Sequence, residues 1–175
     1  MTDFIIETER LRLRKLTEAD YENLALILRD EETMYAYNGA FSEEETRAWL
    51  AKQLDRYEKY DFGLWAVVLK ENGTMIGQCG LTMQDWNGTE VLEVGYLFRR
   101  EYWHHGYATE AAGACMKYAH DVLGAGEVCS IIRDTNTASQ NVALRNGMKP
   151  VENEVIGKHY RGADMPHHRY VFKFD

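Results

Sequence analysis

Long apolar runs are missing from this sequence of 175 residues, and with them any stretch near the ~20 residues of a membrane span. The opening Met1-Thr2-Asp3-Phe4-Ile5-Ile6-Glu7 lacks the basic start and apolar core of a secretory signal. Export and membrane insertion are not expected. Proline is down to Pro150 and Pro166, and no repeat, low-complexity tract or Pro/Gly-rich linker interrupts the chain, so a single domain over residues 1–175 is expected. A domain of this size buries roughly 70% of its unfolded surface and needs no metal or disulfide staple. Cysteine is scarce: Cys79, Cys115 and Cys129 are odd in number, widely spaced and set among apolar residues. They read as reduced core thiols of a cytoplasmic protein, and none stands in a recognisable nucleophile context.

A basic surplus is missing too. Twenty Lys and Arg face 28 Asp and Glu, a net charge of -8, which argues against nucleic acid as a partner and suits a cationic substrate. Trp65, Trp86 and Tyr170 accordingly read as core or pocket-wall residues rather than a base-stacking platform. Ligand spacing is absent among the six histidines. His104-His105 and His167-His168 are adjacent pairs, which on a strand point to opposite faces, so no metal site is expected.

What is present is a clear order of elements. Arg10 to Arg14 alternates as a half-buried strand. Thr17-Glu18-Ala19-Asp20 opens a helix carrying Tyr21, Leu24, Ala25 and Leu28, and Ser42 with Glu45 caps a second, with Trp49, Leu50, Leu54 and Tyr57 on one face. Glu43, Glu44 and Glu45 fall in its first turn, where the helix dipole favours them. Strands at Leu64–Leu69 and Met75–Leu81 flank Asn72-Gly73, a hairpin signal. A turn-rich stretch through Asp85, Asn87 and Gly88 leads to a strand at Val91–Phe98. Thr109–Leu123 reads as a helix ended by Gly124, Val128–Ile132 as a buried strand and Ser139–Asn146 as a short helix closed by Gly147. Two further strands bracket a loop from Gly157 to Pro166. Hairpins first and strand-helix-strand later imply a mixed α/β fold, a mixed sheet with helices on its faces.

The chemistry is concentrated in Tyr102-Trp103-His104-His105-Gly106-Tyr107-Ala108-Thr109-Glu110-Ala111, which joins a strand to a helix. Gly106 and Ala108 let the free N–H groups of a helix start approach an anion closely, and the helix dipole adds partial positive charge. A tight turn without a ligand would look the same in sequence. This segment resembles motif A of the GNAT acetyltransferases in the RimJ/RimL-type branch, where tryptophan often replaces the first glutamine or arginine, as Trp103 does here. Four other pieces resemble the branch in the expected order: Glu7 to Arg14, Thr17 to Asp20, Glu93-Val94-Gly95-Tyr96, and Asn136-Thr137-Ala138-Ser139 with Gly147-Met148. The likeness covers nearly the whole chain.

That resemblance implies a mixed sheet of about seven strands, acetyl-CoA as co-substrate, and direct acetyl transfer to a primary amine. By position, the backbone of Trp103, His104, His105, Gly106, Tyr107 and Ala108 would clamp the pyrophosphate. Tyr96, Leu97 and Phe98 would bind the pantetheine arm, with the Phe98 N–H facing the thioester oxygen. Asn136 would bond the pantetheine amide, and Ser139 would stand near the sulfur as a hydrogen-bond donor. Two departures stand out: His104 occupies the usual place of the first glycine, and Ala143 replaces the tyrosine that many GNAT enzymes use as acid.

Glu93 is the first candidate for the base, with a solvent-facing carboxylate as the plain reading. His168 and His159 are second candidates, and Tyr160 and Asp164 share their region as pocket residues. The segment Tyr35 to Phe41, with Tyr35 and Tyr37, is expected to wall the acceptor site, its aromatics suiting a cationic, partly apolar ligand. The acceptor implied is a protein or peptide N-terminus or a small amine. A homodimer, common among such relatives, is compatible with the sequence. A CoA-binding module without catalysis is the competing reading, favoured by Ala143 and His104.

Overall fold

The computed structural model describes residues 3–175. Among these residues eight strands form one sheet: β1 (Ile6–Glu7), β2 (Leu11–Arg14), β3 (Leu64–Leu69), β4 (Met75–Trp86), β5 (Thr89–Phe98), β6 (Glu127–Arg133), β7 (Lys149–Tyr160) and β8 (Ala163–Lys173). Four α-helices accompany them: α1 (Tyr21–Leu28), α2 (Glu43–Tyr60), α3 (Tyr107–Asp121) and α4 (Thr137–Arg145). The sheet order is β1-β2-β3-β4-β5-β6-β8-β7. Only β5 and β6 run parallel; the other neighbours are antiparallel. The sheet is thus mixed, and its eighth strand is the two-residue β1, paired with Arg12 and Leu13. No helix among the described residues is long and apolar enough to cross a membrane.

All six residues of β3 are buried, as a central strand with both faces covered must be. α3 lies against β4 and β5, and α1 packs on α2 and β4. The Ser42–Glu45 capping box forms, each residue's side chain bonding the other's N–H at 3.1 and 3.0 Å. At the first helix, Asp20 accepts the Thr17 N–H at 2.8 Å and both Arg14 guanidinium nitrogens at 2.8 and 2.9 Å. A single 3-10 turn over Glu18–Asp20 therefore precedes α1.

Two regions read as loops are strands. The stretch through Asp85 is the end of β4, and Asn87-Gly88 alone makes the turn, with φ of 50° and 83°. The Gly157–Pro166 segment is likewise a hairpin, turned by Arg161-Gly162 with φ of 50° and 80°. Both turns need positive φ at two successive residues, the requirement of a two-residue hairpin. Gly157 and Pro166, the ends of the expected loop, face each other in register within it. Proline is tolerated there because its β6-facing side lies beyond the end of β6, where its carbonyl takes the Asp134 N–H at 3.0 Å.

Gly80 on β4 permits the closest approach in the sheet. A Cβ there would stand 2.0 Å from the Gly63 carbonyl oxygen and 2.8 Å from the Leu64 Cα. Both are backbone atoms and cannot rotate away. Gly80→Ala is expected to cost about 3 kcal/mol, near the upper end for overpacking, or a drop of roughly 6–12 °C in Tm for a chain of this length. Gly126→Ala, where a Cβ meets nothing within 4 Å, is the control. Equal melting of the two variants would refute the close-approach explanation.

Candidate active site

β5 and β6 are in register at one pair alone, Glu93 with Cys129. Beyond it the strands diverge, and a cleft of about 870 Å³ opens between them. Which β5 groups face it follows from strand alternation. The Arg99 N–H bonds back to the Ile76 carbonyl on the β4 side at 2.8 Å, so Phe98 and Tyr96 turn their main-chain groups toward the cleft. The Ser130 hydroxyl, which donates to the Val94 carbonyl across the gap at 2.7 Å, fits that phase. The Trp103 indole N–H donates to the Phe98 carbonyl at 2.9 Å. The Phe98 and Tyr96 N–H groups are left facing open space, as a strand-like ligand or a developing oxyanion requires.

After the 3-10 turn at Arg100–Tyr102, the chain folds sharply through His104 (φ 64°) and Gly106 (φ 79°). α3 begins at Tyr107, two residues before the expected Thr109. Its first internal bond is from the Glu110 N–H to the Gly106 carbonyl at 3.0 Å, so the N–H groups of Tyr107, Ala108 and Thr109 have no partner within the helix. His104, Gly106, Tyr107, Ala108 and Thr109 all line the cleft. His105 does not: its ring stacks on Tyr107 and its Nδ1 meets the Trp103 carbonyl at 2.7 Å. Its side chain closes the turn from outside. His104 sits in the left-handed region that glycine usually fills, at the ordinary strain of a non-glycine residue there.

The turn is held from behind by Arg10, a tie that the sequence did not suggest. Its guanidinium donates to the His105 carbonyl at 2.9 Å, lies over the Tyr107 ring at 4.4 Å and pairs with Glu110 at 2.7 Å. Glu110 also accepts the Thr8 hydroxyl at 2.6 Å and the Arg10 N–H at 2.9 Å. Burial opposes its ionisation, but these donors outweigh it and hold the carboxyl below the ordinary range. Glu110→Gln should therefore loosen the turn without touching the cleft. We expect coenzyme A affinity to fall about three- to tenfold, an indirect effect of the size of one ordinary hydrogen bond; unchanged calorimetric affinity would remove the clamp's role.

Across the cleft, Asn136 caps α4 by accepting the Ser139 N–H at 3.2 Å. The Tyr96 hydroxyl donates to the Ser139 carbonyl at 2.8 Å, which joins β5 to α4 beyond the point where backbone pairing has stopped. Asn136 and Ser139 both line the cleft. Ala143 is 2% exposed and offers no hydroxyl.

The other end of the cleft brings together Glu93, Tyr35, Tyr37, Tyr160, Lys158, Arg133 and His167. Glu93 Oε2 accepts the Ile131 N–H at 2.6 Å and so replaces the ladder bond that the diverging strands cannot make. Burial pushes its carboxyl above the ordinary range, against the pull of Lys158, the Ile131 N–H and Arg56. Tyr37 sits among Tyr160, Trp49 and Phe41 at ring separations of 5.3, 5.7 and 5.9 Å. The Tyr35 hydroxyl meets Thr135 Oγ1 at 3.0 Å. Arg161 ties the hairpin tip to the Ala40 carbonyl at 2.6 Å and to Glu45 at 2.9 Å, fixing the Tyr35 to Phe41 wall.

His168 is not on the cleft wall; His167 is, because neighbours on a strand face opposite sides. The His167 Nδ1 lies 2.8 Å from the Met165 carbonyl, so Nδ1 carries the proton and Nε2 is left with a lone pair. Burial lowers its pKa and favours that neutral form. His159 and Asp164 pair with each other at 2.9 Å on the exposed hairpin, outside the cleft. Sequence reasoning missed Lys158, Arg133 and His167. The signal was the alternation of Lys158 with Tyr160 on β7, hidden once that stretch was read as a loop.

Residues 10–149 match the family model described as acetyltransferase (GNAT) domain. The chain is similar to YkkB of Bacillus subtilis (strain 168), at 35% identity over 142 residues, 81% of this chain and 83% of that protein. Among solved structures it is similar to a Salmonella typhimurium acetyl transferase described as modifying the N-terminal serine of ribosomal protein L7/L12. That match has a TM-score of 0.82 and 18% identity, and covers 99% of this chain and 100% of the other. A similar match is RimL, a ribosomal L7/L12 alpha-N-protein acetyltransferase in complex with coenzyme A, with a TM-score of 0.79, 18% identity and 99% of each chain covered. At these identities the likeness to the two solved structures is one of fold.

Proposed function

This chain belongs to the GNAT acetyltransferase family, and from that membership we propose that it moves an acetyl group from acetyl-CoA to a primary amine by direct attack in a ternary complex. Acetyl-CoA supplies the activated acyl carbon. The observation that carries the reading is the pairing, within one cleft, of a free main-chain N–H at Phe98 with the Glu93 carboxylate on the same strand. The N–H groups of Tyr107 to Thr109 hold the pyrophosphate, with the helix dipole behind them. Phe98 donates to the thioester oxygen as negative charge develops there, an effect worth ~3–4 kcal/mol where one such donor has been removed. Asn136 orients the pantetheine amide. The fold of RimL, described in complex with coenzyme A, supports this use of the cleft.

The amine must reach the acyl carbon uncharged. A lysine-like amine of pKa ~10.4 is only about 0.04% neutral at pH 7, a deficit of ~4.6 kcal/mol, whereas an α-amine of pKa ~8 loses ~1.4 kcal/mol. Glu93 receives the proton directly or through one water. The departing thiolate, with a free-thiol pKa near ~8.5, needs a hydrogen bond rather than a strong acid, and Ser139 supplies it where Ala143 cannot. Ser139→Ala should accordingly lower kcat about 10- to 100-fold, the worth of one hydrogen bond to a charged group, and change coenzyme affinity less. Equal losses in both would remove the serine from the chemistry.

The acceptor in this reading is a protein or peptide N-terminus or a small amine. The three cysteines, free and buried, suit the reducing cytoplasm in which we place the protein. Thiol release from acetyl-CoA across an amine panel, with mass detection of an acetylated product, tests the proposal. Amine-stimulated release supports it; coenzyme binding without release would leave a catalytically silent binding module.

A further inference from the structure

The overall charge of -8 does not extend to the acceptor end of the cleft. The carboxylates lining the cleft are Glu32 and Glu93. Glu32 pairs with Arg100 at 2.8 Å, and Glu93 gives one oxygen to the Ile131 N–H. The cations opposite them are differently placed. Lys158, Arg133 and His167 stand on one face of the β6-β8-β7 array. Arg133 and Ile156 are both register partners of His167, one on β6 and the other on β7, and directly opposed residues share a face. Lys158, two residues beyond Ile156, lies diagonally from His167 at roughly 7–8 Å.

Among the described residues, neither Lys158 nor Arg133 forms an ion pair with a carboxylate, whereas Arg10, Arg161 and Arg169 all do. Arg133 Nη1 donates to the Tyr35 carbonyl at 2.8 Å, and its guanidinium lies 5.1 Å from the Tyr35 ring centre. Its Nε is buried without any partner. A guanidinium held at the cleft wall with no carboxylate partner is one that a ligand anion can pair with. Lys158 and Arg133, both half-buried, outnumber the one carboxylate at this end, Glu93, on which Lys158 pulls, so the rim repels a dication such as a polyamine and attracts an anion.

Resting on the acetyltransferase reading, we propose that the acceptor is an amine that itself carries an anionic group, held by Lys158 and Arg133 while its nitrogen faces Glu93 and the Phe98 N–H. The aromatic wall of Tyr37 and Tyr160 accommodates the carbon skeleton between the two ends. The anion is the carboxylate of a free amino acid or an acidic side chain following a peptide N-terminus, and the two sources share this chemistry. The expectation of a cationic ligand, drawn from net charge, gives way to the local arrangement of charge.

The test uses the full-length protein and matched acceptors: L-tyrosine against tyramine, a peptide beginning Ser-Asp against one beginning Ser-Lys, and spermidine. The anionic member of a pair should be favoured about tenfold or more in kcat/KM. Lys158→Glu should reverse that preference and Lys158→Arg should keep it, which a merely structural lysine would not do. Tyrosine alone as substrate identifies a free amino acid, the Ser-Asp peptide alone an N-terminus, and either supports the proposal. Equal or better use of tyramine, Ser-Lys or spermidine, unaltered by Lys158→Glu, overturns it while leaving acetyl transfer intact.

If no amine is acetylated, the acetyltransferase reading fails, and calorimetry on the CoA-saturated protein decides the charge preference separately. N-acetyl-L-tyrosine binding at least about tenfold more tightly than N-acetyltyramine upholds the anion site; equal binding ends it.

Discussion

Glu93→Gln is expected to lower kcat/KM for amine acetylation by about 10² to 10⁴, the usual worth of a positioned general base, with coenzyme affinity preserved. Glutamine is the informative change because its side-chain carbonyl can still accept the Ile131 N–H that Glu93 holds at 2.6 Å. The divergence of β5 and β6 therefore survives, and only basicity is removed. Glu93→Ala would confound the result, since a buried N–H left without a partner costs about 1–3 kcal/mol by itself.

The pH dependence has a definite sign. Burial raises the Glu93 carboxyl above its ordinary value, so the ionised base is lost, and kcat/KM with it, as pH falls through that raised value; the glutamine variant should show no such limb. Stability runs the other way. A carboxyl whose folded pKa is raised contributes stability that is full below its unfolded pKa and lost as pH rises through the folded value. Glu93→Gln should therefore melt higher than the parent above that value and lose the advantage in acid. A variant that melts higher yet turns over more slowly is what a strained base predicts. Should its pH–rate profile match the parent's while His167→Gln abolishes the acidic limb, the base is His167 through its free Nε2.

The second large effect is on binding. Gly106→Asp is expected to weaken coenzyme A by 100-fold or more, about 2.7 kcal/mol. Gly106 has a φ of 79°, and a Cβ there meets only the end of the Arg10 side chain at 3.5 Å. The fold has room for the substitution, at a cost of about 1–2 kcal/mol for a left-handed side chain. The free and the bound protein bear that strain alike, so the loss of affinity comes from placing a carboxylate where the free N–H groups of α3 attract a phosphate. Gly106→Ala, which carries the backbone strain and no charge, should lose much less. Gly73→Asp is the matching control: φ there is 74° and a Cβ meets nothing within 4 Å. If both aspartates cost the same affinity, net charge or a general loss of folded protein explains the loss and the anion site does not.

Most of the architecture was legible because its signals are local. Ser42 with Glu45, Asn72-Gly73, the apolar run at Leu64–Leu69 and the small residues from Gly106 each report on a few neighbouring residues, and each element lies where they point. The cleft wall made by β5 and the start of α3 was legible for the same reason: a strand end and a helix start form one continuous segment. The opposite end of the cleft was not. Glu93 was singled out, but its partner Ile131 is 38 positions away, and their contact exists only because two parallel strands part after a single register pair. The Arg10–Glu110 tie spans 100 positions, and no periodicity encodes it. At His167-His168 the strand was recognised but its phase was not, and phase alone decides which ring enters the cleft. At Gly157–Pro166 two residues that usually break structure sit opposite each other in a ladder, where the sheet's own ending removes the penalty.

The most direct test of the central claim is a crystal structure of the protein grown with acetyl-CoA or its non-hydrolysable thioether analogue. The pyrophosphate oxygens should lie within hydrogen-bond distance, roughly 2.7–3.2 Å, of main-chain nitrogens between His104 and Thr109, with the acyl oxygen directed at the Phe98 N–H and the methyl end toward Glu93. Coenzyme bound anywhere else on the molecule, or a cleft that stays empty at saturating ligand, would contradict it.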